Sequence, residues 1–165
     1  PWTLHTAIFL HGSLGHLTSN MLALALFGML LENIIGSKKF LLVFFITGIL
    51  ASISTLFLYN ASLGASGAIF GVLGTLVVLR PKSVVFVYGI PLPMFLAAVV
   101  WIAIDVAGLF TLGNVANLAH LTGLFVGLIY GLSLRKKHKQ YEIRRYRPSL
   151  SESEMREWER SYMRK

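Results

Sequence analysis

The sequence predicts an all-α fold, that of a polytopic helical membrane protein, from its composition and from the placing of its charges. Hydrophobic residues make up 55% of the 165 residues and charged residues only 13%, and the mean hydropathy is +0.68. A soluble domain carries about 25% charged residues. So apolar a chain is expected to bury its helices in a lipid bilayer rather than fold in water.

Five stretches are candidates to cross the hydrocarbon core, which takes about 20 residues per helix. They are residues 17–35, 40–59, 65–79, 91–110 and 115–134, separated by short loops such as GSKK, NASLG and RPK. The third is long enough only if its uncharged approach from Ala61 is counted. Residues 83–93 are apolar but contain Gly89, Pro91 and Pro93, which predicts a re-entrant or interfacial segment ahead of the fourth helix.

The basic residues all fall on one side of a five-crossing topology. The fifteen Lys and Arg are Lys38, Lys39, Arg80, Lys82 and eleven residues after position 134. By the positive-inside rule that side is cytoplasmic, so residues 1–15 and the loops 60–64 and 111–114 face the exterior or lumen. The basic residues behind the net charge of +8 are then expected to contact anionic lipid headgroups, and no nucleic-acid partner is predicted.

The predicted organisation is a transmembrane domain over residues 1–134 and a basic cytoplasmic tail over residues 135–165. In the tail, Ser151 and Glu154 have the spacing of a helix capping box. One face of the helix that follows carries Met155, Trp158 and Tyr162. We expect a short amphipathic helix, solvated or at the membrane interface, and a docking site for a partner is the alternative.

Polar side chains inside the apolar segments are costly and usually functional. They are His16, Asn20, Glu32, Ser66, Asp105, Asn117 and His120. His16 and Asn20 lie at the outer end of the first segment. Ser66 lies in the first turn of the third segment, and His120 near the outer end of the fifth. Because three segments bring these groups to one depth, we expect an active site there, whereas Glu32 lies at the opposite end.

These residue types favour acyl transfer. A serine hydroxyl such as that of Ser66 needs a base to take its proton, and the neutral imidazole of His120 suits that role. The backbone N–H of Ser66, the Asn20 amide and a ring N–H of His16 are candidate donors to an oxyanion. With no cysteine in the chain, a thiol nucleophile is excluded.

Glycines at four-residue spacing predict close contact between the third and fifth segments. Gly123, Gly127 and Gly131 form a small-residue stripe beside His120, and Gly67 and Gly71 supply a matching pair beside Ser66. Such contact would bring the hydroxyl towards the imidazole. It would also place Phe70, one turn after Ser66, where its ring could stack on His120.

Plainer roles compete with several of these assignments. A serine in a glycine-rich helix most often hydrogen-bonds its own backbone, which is the alternative for Ser66. Asp105 could orient His120 as the acid of a triad or serve as a hydrogen-bond partner in helix packing, and we favour packing. Glu32 and Gly36 are expected to be structural, with the carboxylate capping the cytoplasmic loop.

No metal or other cofactor is predicted. His5, His11 and His138 are taken as structural residues. The i,i+5 spacing of His11 and His16 is unfavourable for shared coordination, and no acidic ligand lies near them at that depth.

Four motifs, read together, resemble the rhomboid family of intramembrane serine proteases. They are H-x-x-x-N at His16 to Asn20, E-x-x-x-G at Glu32 to Gly36, G-x-S-G at Gly64 to Gly67, and A-H-x-x-G at Ala119 to Gly123. The resemblance extends over residues 11 to about 131 in order, spacing and depth. It implies a rhomboid-like bundle whose usual core has six helices, so a further helix and loop are expected before Pro1 in the full-length protein.

The resemblance also implies the roles of single residues. Ser66 and His120 would form a catalytic dyad without an obligatory acid, and His16, Asn20 and the Ser66 amide the oxyanion site. The supporting residues would be Gly64, Gly67, Phe70, Gly123 and Gly127. The expected activity is a serine endopeptidase that cleaves transmembrane protein substrates near their outer ends, with segment four or the loop after it as gate.

This sequence departs from the family pattern in two respects. The family's Trp-Arg motif is absent, and Trp2 is no substitute for it. Phe70 stands where family members often carry Tyr, which keeps a ring but loses a hydroxyl. The presence of Ser66 and His120 speaks against the inactive relatives, yet a non-catalytic binder of transmembrane helices is the alternative function.

A small transporter is a third function class, with Glu32, Asp105 and His120 as its proton path. The different depths of these residues and the lack of inverted repeats disfavour it. The sequence predicts no oligomeric state.

Overall fold

The computed structural model describes residues 6–56, 63–87, 89–110, 117–145 and 151–163, with side chains omitted for residues 136–145. The helices are α1 (Leu14–Ile35), α2 (Ser37–Thr55), α3 (Ser66–Leu79), α4 (Met94–Gly108), α5 (Asn117–Arg145) and α6 (Glu152–Tyr162). The strands are β1 (Val84–Val87) and β2 (Ile90–Pro93). Trp2, His5, the predicted loop 111–114, most of the loop 60–64 and the side chain of His138 lie outside the described residues.

The described residues divide into two units, residues 1–135 and residues 136–165. In the first unit, α1, α2 and the stretch Asn117–Arg135 of α5 are long and apolar enough to cross a membrane. Helices α3 and α4 are apolar but have only 14 and 15 residues, about 21 to 23 Å at the helical rise. The predicted helical membrane fold is confirmed, and the count of five crossings stays a prediction.

Helices α1 and α2 are separated by a single residue, Gly36, which has a φ of 81°. Its N–H donates to the Glu32 carbonyl at 2.7 Å, and its own carbonyl accepts from the N–H of Phe40 at 3.0 Å. The prediction that GSKK forms a loop is therefore wrong, because its last three residues belong to α2, which begins at Ser37. Only the left-handed backbone of one glycine is needed to turn the chain.

The Glu32 carboxylate was expected to cap the cytoplasmic loop. Among the described residues it makes no hydrogen bond, and the backbone carbonyl of Glu32 closes the helix instead. That expectation is corrected because no loop exists there for the carboxylate to cap.

The predicted re-entrant or interfacial segment before α4 is an antiparallel hairpin, which adds two short strands to the predicted all-α fold. Strands β1 and β2 pair from Val84 opposite Pro93 to Val87 opposite Ile90. Prolines are tolerated because each strand of a two-stranded hairpin has a free edge. The N–H of Met94 donates to the Ser83 carbonyl at 2.8 Å, so the hairpin ends directly in the first turn of α4.

Helix α3 is the most buried helix of the first unit. Ten of its residues are buried, namely Gly67, Ala68, Ile69, Gly71, Val72, Leu73, Gly74, Thr75, Leu76 and Leu79. A Cβ on Gly71 would collide with Thr47 of α2. A Cβ on Gly123 would collide with the carbonyl oxygen of Gly67, and one on Gly127 with the carbonyl oxygen of Gly71. The backbones of α3 and α5 are thus in direct contact, as small residues allow.

One hydroxyl also joins α3 to α5. Thr75 Oγ1 lies 3.0 Å from the carbonyl oxygens of both Gly71 and Gly127. Its proton can serve either acceptor, so a neutral side chain satisfies this helix contact without burying a charge.

The terminal helix α6 belongs to the second unit and begins with a capping box. The N–H of Glu154 donates to Ser151 Oγ at 3.3 Å, and the N–H of Ser151 donates to Glu154 Oε2 at 2.6 Å. The rings of Trp158 and Tyr162 lie 5.8 Å apart between centroids on one exposed face. This is the local geometry that the S-x-S-E spacing predicts.

Candidate active site

Ser66 is the first residue of α3 and follows Ala65, which provides no side-chain cap. At this position the backbone N–H has no partner within the helix and lies at the positive end of the helix dipole. The Ser66 hydroxyl is half-buried and makes no hydrogen bond within the described part of the chain. It therefore differs from Thr75, whose hydroxyl bonds back to its own helix.

Gly64 holds the approach to Ser66 against α1. Its φ is +113°, and its N–H donates to the Ala7 carbonyl at 2.8 Å. A Cβ at this position would lie 2.7 Å from Cε1 and 2.8 Å from Nε2 of His16. Both the backbone angle and the contact require glycine, so the His16 imidazole lies directly against the backbone two residues before Ser66.

His16 lies in the first turn of α1, which Ser13 caps by accepting the N–H of His16 at 3.1 Å. Its ring meets the ring of His11 edge to face, with centroids 5.1 Å apart. His11 Nδ1 lies 3.2 Å from the Phe9 carbonyl, whereas His11 Nε2 is buried without a partner among the described residues. His11 thus packs against the His16 ring and has one buried ring nitrogen without a partner in the described part of the chain.

Asn20 lies one turn after His16 and is 5% exposed. Its amide nitrogen donates to the His16 carbonyl at 2.8 Å. A carboxamide has two N–H donors, so one donor is used within α1 and the other remains available. The structure thus brings His16 and Asn20 together on one face of α1.

His120 lies in the first turns of α5 and stacks on Phe70 of α3. The two ring centroids are 4.3 Å apart and the planes differ by 4°. Phe70 and Ser66 are four residues apart and share a helix face, so the imidazole lies over the face of α3 that carries Ser66. No hydrogen bond joins the Ser66 hydroxyl to His120 within the described ranges.

The Nδ1 edge of the His120 ring faces Asp105 of α4. His120 Nδ1 lies 3.0 Å from Asp105 Oδ1, and the two side chains are 14% and 6% exposed. The sequence favours a packing role for Asp105, and its position near the outer end of its segment is the signal for the other reading, contact with His120. The structure pairs its carboxylate with the imidazole, and Oδ2 is buried without a partner in the described part of the molecule.

Glu32 and Asn117 are the predicted polar residues outside this cluster. Glu32 is sixteen residues further along α1 than His16, which at the helical rise is about 24 Å. Asn117 is buried, and its side chain lies against the backbone of Gly108 in α4. A continuous proton path through Glu32, Asp105 and His120 is therefore not formed in the residues described.

No group of three or more histidine and carboxylate side chains in the described residues is arranged to hold a metal ion. The chemistry open to this site is that of a hydroxyl, an imidazole and hydrogen-bond donors. These groups suit nucleophilic attack on a carbonyl and stabilisation of the oxyanion that forms.

Comparison with known proteins assigns the chain to a family. A family model described as the Rhomboid domain matches residues 1–137. The chain belongs to the rhomboid family. With its apolar helices, this rhomboid is an integral, multi-pass membrane protein.

Three relatives illustrate the extent of the match. This rhomboid is 34% identical to Rhomboid protein 1, mitochondrial, of Saccharomyces cerevisiae over 83% of this chain and 43% of that protein. It is 37% identical to Rhomboid protease GluP of Bacillus subtilis over 81% of this chain and 26% of that protein. It is 36% identical to RHOMBOID-like protein 4 of Arabidopsis thaliana over 81% of this chain and 34% of that protein. The chain thus spans less than half the length of each of these relatives.

Proposed function

We propose that this rhomboid is an intramembrane serine endopeptidase with Ser66 as nucleophile and His120 as general base. The observation that carries the proposal is the stack of the His120 imidazole on Phe70, one turn after Ser66. The half-buried Ser66 hydroxyl supports it further, because it makes no hydrogen bond among the described residues and its proton is therefore available to a base. In resting enzymes, catalytic hydrogen bonds are often long and tighten once substrate is bound.

In the proposed reaction, Ser66 Oγ attacks the carbonyl carbon of the scissile peptide bond while His120 Nε2 takes the hydroxyl proton. The tetrahedral intermediate collapses as His120 returns that proton to the leaving amine, which breaks the C–N bond and leaves an acyl group on Ser66. A water molecule then attacks the ester and gives its proton to His120, and the acid product departs as Ser66 recovers its proton.

The oxyanion of each tetrahedral intermediate would be held by donors from two helices. We assign the backbone N–H of Ser66, the second N–H of the Asn20 amide and a ring N–H of His16 to this role. Loss of one such donor typically lowers kcat by about 10²- to 10³-fold. The contact between His16 and the Gly64 backbone supports the assignment, because it ties the donor helix to the nucleophile loop.

The proposed substrates are proteins with a transmembrane helix, cleaved near its outer end. Ser66, His120 and His16 lie in the first turns of their helices, and by the distribution of basic residues those ends face the exterior or lumen. The C-terminal tail would then face the cytoplasm. The lipid bilayer is the other partner, and water for hydrolysis would reach the site from the headgroup level.

The test is cleavage of a single-helix reporter substrate by the full-length protein in liposomes. Wild type and Ser133→Ala are expected to cleave at equal rates, because Ser133 is exposed and bonds only to the Tyr130 carbonyl. Ser66→Ala and His120→Ala are expected to lose cleavage to background. A Ser66→Ala protein that cleaved at the wild-type rate would overturn the proposal.

The second candidate is a non-catalytic binder of transmembrane helices, and the observation that favours it is that no hydrogen bond joins Ser66 to His120 within the described residues. In the same liposomes it predicts reporter binding by wild type without cleavage. Binding without cleavage by wild type would replace the protease proposal with this one.

A further inference from the structure

We propose that Asp105 is a positioning residue that acts through His120, so that three residues rather than two prepare the nucleophile. The proposal rests on the protease function above and extends it to the choice of tautomer. The carboxylate would hold the imidazole with its proton on Nδ1 and leave the Nε2 lone pair free for the Ser66 hydroxyl.

The first support is the chemistry of the contact. An ionised carboxylate can only accept hydrogen bonds, so with Asp105 as a carboxylate we assign the ring proton to His120 Nδ1, which lies 3.0 Å from its oxygen. The other nitrogen of a neutral imidazole is then an acceptor. Phe70 fixes the plane of the ring from the opposite helix, so tautomer and orientation are both determined.

The second support is the free-energy cost of burying the Asp105 carboxylate in α4. Asp105 is 4% exposed in an apolar helix, and its second oxygen lacks a partner among the described residues. Burying a carboxylate costs several kcal/mol even when it is paired. A neutral hydroxyl is sufficient for helix packing, as Thr75 illustrates between α3 and α5.

A negative charge at this position has a use when His120 carries a proton. As Ser66 Oγ attacks, the imidazole becomes an imidazolium whose charge is opposite to that of the adjacent carboxylate. Because both side chains are largely buried, this attraction is stronger than in solution. Asp105 therefore stabilises the state that precedes proton transfer to the leaving amine, without itself touching the substrate.

The kinetic test compares Asp105→Asn with Asp105→Glu and with Thr75→Val as a matched control. Thr75→Val also removes a buried hydrogen bond between two helices but does not touch His120. Asp105→Asn is expected to lower kcat by roughly 10²-fold, the scale of positioned proton transfer, with KM within about twofold of wild type. Asp105→Glu should recover part of the lost kcat because it restores the carboxylate, and Thr75→Val should keep the wild-type kcat.

A spectroscopic test on the wild-type protein measures the tautomer of His120 directly. It applies even if an Asp105 variant does not fold or if the protein has no protease activity. In wild-type protein labelled with ¹⁵N-histidine, the His120 signals, assigned by their loss in His120→Gln, should report the Nδ1–H tautomer. An Nε2–H tautomer in wild type would overturn the proposal. So would an Asp105→Asn kcat within twofold of an active wild type. If wild type does not cleave, the protease function fails and the tautomer alone decides the role of Asp105.

Discussion

The imidazole of His120 lies flat on the ring of Phe70, with centroids 4.3 Å apart. Such a stack contributes roughly 0.5 to 1.5 kcal/mol, and here it restricts the rotamer of the proposed base. We expect Phe70→Leu to lower kcat by about 3- to 10-fold, measured with the reporter in liposomes. Phe70→Tyr keeps the ring and should keep the wild-type rate. A Phe70→Leu protein with unchanged kcat would show that the stack does not position His120.

Direct backbone contact between α3 and α5 predicts a large effect on stability. In Gly123→Ala, the new methyl group would collide with the Gly67 carbonyl oxygen, and overpacking of this kind costs about 1 to 3 kcal/mol or more. Gly15→Ala is the control, because a Cβ on Gly15 meets nothing within 4 Å. We expect thermal unfolding in detergent at a clearly lower temperature for Gly123→Ala only, and equal midpoints would contradict the close approach.

The contact of Gly64 with His16 predicts that Gly64→Ala lowers activity. Gly89→Ala is the matched control for the effect of backbone strain alone. Gly64 and Gly89 both have a positive φ, +113° and +83°, but only Gly64 has a side chain within 4 Å. Both alanine variants pay for the strained backbone, about 1 to 3 kcal/mol. Only Gly64→Ala should also lower kcat, since it displaces the His16 ring. Equal kcat values in the two variants would argue against a role for that contact.

Asn20 is predicted to stabilise the oxyanion with the N–H that its bond to the His16 carbonyl leaves free. Asn20→Ala should lower kcat by about 10²-fold or more with little change in KM. Thr18→Ala is the control, because Thr18 bonds to the Leu14 carbonyl on the same helix but is exposed. If kcat fell equally in both variants, the effect would come from α1 as a whole rather than from the Asn20 amide.

The start of α6 is predicted to depend on pH. Hydrogen bonds from the side chain and the backbone N–H of Ser151 lower the pKa of Glu154 below its ordinary value of 4.5. The capping box is therefore fully formed above pH 4.5 and is lost as the pH falls through the lowered pKa. Backbone ¹³C shifts of residues 151–155 should lose helical character in that range. Glu154→Gln should show no such transition, and an identical transition in that variant would contradict the assignment.

The contact between α3 and α5 could be predicted from their glycines, whereas the connections between the helices could not. His16, Asn20, Ser66 and His120 could be proposed as site residues because polar groups in apolar segments are rare, and helix direction gives their expected depth. The hairpin before α4 could not be predicted, because its strands have only four residues each. An apolar stretch that short, with prolines in it, does not show whether it forms a strand or part of a helix. The single-residue turn at Gly36 could not be predicted either, because a glycine in the sequence does not show whether its φ is positive.

The contact between Asp105 and His120 could not be predicted from the sequence. Depth along a segment shows that Asp105 and His120 are near the same level, but not that α4 turns this face towards α5. The facing side depends on how α4 is rotated, which is set by its packing against its neighbours and not by its own pattern. The 3.0 Å contact between the two side chains is therefore information that only the structure supplies.

The most direct test of the central claim is covalent labelling of the full-length protein with a fluorophosphonate, followed by peptide mapping of the adduct. If Ser66 is an activated nucleophile, the adduct will map to Ser66, and its rate of formation will fall to background in His120→Ala. Labelling of Ser66 at an unchanged rate in His120→Ala, or no adduct on Ser66 in a wild type that cleaves the reporter, would contradict the account.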